Sequence, residues 1–163
     1  MTMRETITES EITALLELPK IITESDYHSI RPVEKNGFVK FNVEAKATSD
    51  NTKAFTIFSR VSVDDPMDFS VGLRVTFQDG SYITLMRCNG VHGGHINHIE
   101  HERLDGRHIH IATERYVQRG HRSEGYAFDA GDEYNNVDTA FKTLMKRCNI
   151  SIEGQDLTLF KGW

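Results

Sequence analysis

The sequence predicts an α+β domain. Its center is a mostly antiparallel sheet of about six or seven strands, with an N-terminal helix and a C-terminal amphipathic helix packed on it. Three observations predict it. Apolar residues alternate with polar ones at period 2 through Val39–Ala45 and Phe69–Phe77. Asp79-Gly80, a strong hairpin signal, follows the second run. Val137, Ala140, Phe141, Leu144, Met145 and Cys148 recur at helical spacing.

The first helix starts at Thr8 and Glu11, which have capping-box spacing. Ile12, Leu15 and Leu16 form its apolar stripe, and Pro19 ends it. Residues 20 to 35 read either as a second short helix or as a connection. Strands follow at Val39–Ala45 and Phe55–Val63, the latter stopped by Asp64-Asp65-Pro66. Residues 69 to 88 form a hairpin. Glycines at 90, 93 and 94 open a loop. Ile96–Glu102 is expected to be a strand, Asp105-Gly106 its turn and Arg107–Val117 its return. Residues 119 to 135 read as a polar loop. Asn135 or Asn136 caps the last helix, and Ile150–Phe160 reads as one strand or as a hairpin around Gly154.

The length of 163 residues is that of one domain, spanning 1–163 without a linker or repeat. A net charge of −5 argues against non-specific binding of nucleic acid or membrane by the whole surface, and leaves room for a local basic groove. Cys88 and Cys148 have no CxxC partner and are expected to be buried thiols. There is no signal-peptide pattern and no apolar run of roughly 20 residues. The expectation is a cytoplasmic protein without membrane association.

Seven of the eight histidines fall between His92 and His121. Period 2 puts His108 and His110 on one face of a strand, with His98 and Glu100 on the neighboring strand. Neutral imidazole suits divalent transition metals, so the candidate metal set is His108, His110, Glu114 and His98. His108-Ile109-His110 to Glu114 has the HxHx3E spacing of the first cupin motif. The chain departs from cupins at Glu102, where a glycine belongs, at Gly120, one residue early, and in having no proline after Pro66. A metal-free alternative uses His108, His110 and Glu114 as acid and base, with Arg115 and Arg119 on a phosphate, as small RNases do. Arg115, Arg119, His121, Tyr126 and Tyr134 form the candidate binding set. The bland alternative is a wet sheet face and two loops that happen to carry histidines.

No P-loop, dinucleotide fingerprint, nucleophile elbow or zinc-finger spacing occurs. The His108-Ile109-His110 pair and a last helix ending in Cys148-Asn149-Ile150 resemble small prokaryotic proteins grouped as domains of unknown function. That resemblance implies a setting on mobile elements or beside defense and toxin–antitoxin genes. The leading expectation is therefore a small acidic inhibitor of a protein partner, needing no cofactor and performing no catalysis. An anti-defense protein of a phage, such as an anti-CRISPR, fits, as does an antitoxin. The alternatives are a metalloprotein or metal-free RNase acting on RNA or nucleotides, and a homodimeric sponge for a signaling nucleotide.

Overall fold

The structure is a computed structural model describing residues 1–158. Its elements are α1 (Glu9–Glu17), β1 (Lys20–Ile22), α2 (Glu24–Ser29), β2 (Val33–Lys35), β3 (Phe38–Ala47), β4 (Ala54–Ser62), β5 (Phe69–Thr76) and β6 (Tyr82–Asn89). Then come β7 (His95–Asn97), β8 (Glu102–Leu104), β9 (His108–Ile111), α3 (Glu114–Gln118), β10 (Tyr126–Asp129), α4 (Val137–Arg147) and β11 (Ile150–Ile152). The class is α+β with a mostly antiparallel sheet, as the sequence predicts, although the described residues form more strands than about six or seven. No described helix is long and apolar enough to cross a membrane.

The main sheet runs β10-β9-β6-β5-β4-β3-β1-β11, with β2 also paired to β3. Among the named strands of the described residues, β1 and β11 pair in parallel and the other neighbors are antiparallel. One face is apolar: Val43, Phe55, Ile57, Val71, Leu73, Val75, Cys88 and Ile109 are buried in the core. Helix α4 lays Phe141, Leu144, Met145 and Cys148 over it, and Ile12 and Leu15 of α1 join the same cluster. Both cysteines are buried and free. Thr8 and Asn136 cap α1 and α4 as read from the sequence. The other face carries polar residues in register, which run across the strands. One row is Lys40, Arg60, Ser70, Asn89, His108 and Asp129. The next is Asn42, Phe58, Gly72, Arg87, His110 and Ala127.

The middle third departs from expectation. Residues 98 to 101 are the turn, and the strands flanking it pair as a separate two-stranded hairpin, β7–β8. Asp105-Gly106 does not close a hairpin; the chain crosses there into β9, whose partners are β6 and β10. The expected return strand stops at Ile111, because Thr113 caps α3 by accepting from the Tyr116 N–H. The expected loop 119–135 contains strand β10. Period 2 is poorly defined in segments of three or four residues, so turn residues were the only local guide there. Residues 20 to 35 resolve into β1, α2 and β2. Of the segment Ile150–Phe160, β11 is seen, and its end lies outside the described residues.

Candidate metal centre

Strand β9 places His108 and His110 on the polar face and Ile109 in the core. The β7–β8 hairpin folds over this end of the sheet. It is fastened by Asn97, whose side-chain amide accepts from the Ala127 N–H and donates to the Ala127 carbonyl, both at 2.8 Å. Two residues earlier, on the same face of β7, His95 is thereby held above β9. Its ring lies 5.5 Å from that of His108 and 4.5 Å from that of His110, centroid to centroid.

Hydrogen bonds fix the proton positions. His108 Nδ1 faces the Gly106 carbonyl and His110 Nδ1 faces the Glu124 carbonyl, each at 2.8 Å. A carbonyl only accepts, so both Nδ1 atoms carry the proton and both Nε2 atoms carry a lone pair. His95 is the mirror case. Its Nε2 lies 3.0 Å from both Asn97 Oδ1 and the Gly125 carbonyl, which makes Nε2 the donor and leaves the lone pair on Nδ1. Backbone and side-chain acceptors behind imidazoles are how metal-ligating histidines are oriented. One ring nitrogen from each of His95, His108 and His110 lies within 4.8 Å of the other two. A tetrahedral ion with Zn–N bonds of about 2.1 Å holds its nitrogens about 3.4 Å apart, so the rings draw inward on such an ion. Asn89 Nδ2 sits 3.4 Å from His108 Nε2, a long contact that also points to a lone pair there.

Burial favors the neutral rings. Desolvation holds the His108 imidazole below its usual range and pushes His110 down to about 2, where the Arg87 guanidinium adds to the effect. The rings face a cleft of about 350 Å³. Arg87 from β6 lines it, with desolvation lowering its pKa and the Glu124 carboxylate opposing that shift. Arg87 Nε is buried and has no hydrogen-bond partner among the described residues. Glu124 is the one carboxylate among the described lining residues, and it accepts from the Ser123 hydroxyl at 3.1 Å. His92 approaches His108 at 5.9 Å between centroids. His98 and His121 stack at 5.7 Å and line the same cleft.

The other candidates from the sequence lie elsewhere. Glu114 and Glu9 each accept the other's backbone N–H, tying the starts of α3 and α1 together. Arg115 pairs with Glu100 and lies over the Tyr126 ring at 4.6 Å. Arg119 is exposed at the end of α3. Tyr134 is buried, with its hydroxyl donating to the Asn89 and His108 carbonyls. His108 and His110 thus converge with His95, while Glu114, Arg115 and Arg119 do not join them. Arg87 and Glu124 were not singled out from the sequence. The signal for Arg87 was a charge inside the mostly apolar run Ile83–Cys88; Glu124 had none.

A family comparison matches residues 7–150, a span that holds all three imidazoles, Arg87 and Glu124. The chain belongs to that family, described as a family of unknown function (DUF6978). The resemblance drawn from the sequence holds at this level. No curated protein and no solved structure matches the chain.

Proposed function

We propose that the chain is a metalloprotein that holds a divalent transition metal, zinc by preference, on His95 Nδ1, His108 Nε2 and His110 Nε2. The observation that supports this most is one ring nitrogen from each of three histidines within 4.8 Å of the others, with a hydrogen-bond acceptor on each ring. Three neutral protein ligands leave a fourth position for water or substrate, the pattern of catalytic rather than structural zinc. An ion there keeps its full +2 charge, and Arg87 adds another positive charge. The cleft therefore calls for an anion, and a phosphate ester fits. A bound ion would supply the acidity that activates a water for attack on phosphorus; Glu124 would take the proton of that water and return it to the alcohol released as the P–O bond breaks. The inhibitor reading rests on size and net charge, and the fold adds no observation to it.

The test is to strip the full chain with EDTA, restore zinc or manganese, and follow hydrolysis of bis(p-nitrophenyl) phosphate. Metal-restored activity, absent in His110→Ala, supports the reading. No turnover with any restored metal sinks the hydrolase, and a failure to take up metal sinks the centre itself.

A further inference from the structure

The polar face of the sheet carries cations and aromatic rings well away from the histidines. Lys40 on β3 is in register with Arg60 on β4. The Arg60 guanidinium lies 4.3 Å from the Phe38 ring, and that of Arg74 lies 4.7 Å from the Tyr82 ring and 5.8 Å from the Phe58 ring. Arg31, Lys40, Arg60 and Arg74 line a groove of about 520 Å³ with no carboxylate among its described lining residues. In a chain of net charge −5 this is a marked segregation of positive charge. Asp68 lies 3.6 Å from Arg60 and offsets part of it. Arg74 Nε, like Arg87 Nε, is buried without a partner among the described residues. Phe58 is seated by a glycine: a Cβ on Gly72 would lie 2.3 Å from Phe58 Cζ, so the ring lies across the Gly72 backbone. The same register row continues from Gly72 to Arg87 and His110. Arg60 and His108 are three strand spacings apart, about 14 Å.

We infer that this face is a track for single-stranded nucleic acid, with backbone phosphates on Arg60, Arg74 and Arg87 and a base stacked on Phe58. Guanidinium forks fit phosphate oxygens, and every base has a π-face for an aromatic platform. A sheet face with part-exposed Phe58, Arg60 and Arg74 offers both at once. A bilayer is a poor match, because the Phe38 and Tyr82 rings lie under guanidiniums rather than projecting as an apolar patch. The track goes beyond the metal centre and needs no ion, although its rows lead to His108 and His110.

The experiment is fluorescence anisotropy of the full chain, in EDTA, with short labelled oligouridylate and oligothymidylate. Both strands are expected to bind, with affinity falling as salt rises; the tighter of the two identifies the strand. Arg60→Gln/Arg74→Gln should lose at least about 10-fold and flatten the log–log salt slope by about 1.4, two contacts at about 0.7 each. Phe58→Ala should lose roughly 10-fold. His95→Ala/His108→Ala/His110→Ala should bind as the wild type does, so a failed metal centre leaves the track standing. Thermal melts confirm that each variant is folded. The inference is overturned by no binding at low salt, by folded face variants that bind like the wild type, or by loss confined to the histidine variant. Tighter binding of duplex, or displacement by polyglutamate at equal charge, overturns it equally.

Discussion

Lys20 on β1 and Arg87 on β6 are both cations drawn out of water, and their surroundings differ. Lys20 Nζ donates to the carbonyls of Leu16, Leu18 and Cys148 at 3.2, 2.8 and 2.8 Å, joining the ends of α1 and α4, and lies 5.0 Å from the Phe55 ring. Arg87 Nε has no such partner among the described residues, and the cleft it lines holds histidines and the Glu124 carboxylate. A buried polar group that is satisfied holds a fold together, whereas one left unsatisfied costs stability unless a ligand supplies what is missing. On that comparison the Lys20 cluster is architecture and the Arg87 cleft is the candidate site.

The largest expected effect comes from emptying the satisfied cluster. Lys20→Met keeps most of the volume but leaves three carbonyls without their donor. It should cost about 3 kcal/mol, roughly 6–12 °C in Tm for a domain of this size, read by thermal denaturation. A Tm within 2 °C of the wild type, on the order of the change for less than 1 kcal/mol, would break the comparison.

The same lysine gives a pH signature. Desolvation lowers its pKa to about 8 from 10.5. Between those values the unfolded chain still holds the proton that the folded chain has shed. At this group the unfolded state therefore binds more protons, and the Lys20 contribution to stability rises with pH through the window, by about 3 kcal/mol across its whole width. The neutral amine keeps two N–H donors for the three carbonyls, so deprotonation loosens the cluster without emptying it. Burial also raises the Cys88 and Cys148 thiols above their usual range, so both work against stability above about pH 8.5, as does Tyr134 above about pH 10. The Lys20 signature is therefore a difference: in denaturant melts from pH 7.5 to 9.5 the wild type should gain stability relative to Lys20→Met. Equal slopes would contradict the assignment.

The smallest effect on stability should come from Arg87. Arg87→Met removes a buried cation with an unpaired Nε and should change stability by no more than about 1 kcal/mol, in either direction. Stabilization by added phosphate, visible as a Tm rise in the wild type, should disappear. A loss as large as that of Lys20→Met would mean that Arg87 is architecture too.

Much of the fold was legible because long strands and long helices write their periodicity plainly. The β5–β6 hairpin was legible from spacing and the Asp79-Gly80 turn, and α4 from spacing and its asparagine cap. The site was half legible for the same reason in reverse. Two imidazoles two residues apart on one strand share a face whatever the topology, so His108 and His110 could be paired from the sequence. His95 joins them through a three-residue strand fastened by Asn97 to the edge of β10, a contact between residues 30 apart with no local signature. Arg87 reaches the imidazoles only through the β6–β9 pairing, and that pairing was hidden because Asp105-Gly106 looked like a turn. Glu114 was drawn into the metal set by a motif spacing, and the cap of α3 turns it toward Glu9 instead.

The most direct test of the account is elemental analysis of the untagged protein beside His95→Ala/His108→Ala/His110→Ala. The account predicts close to one transition-metal ion per chain in the wild type and none in the folded triple variant. A wild-type chain that carries no metal and takes up none when zinc is added after EDTA treatment would contradict it.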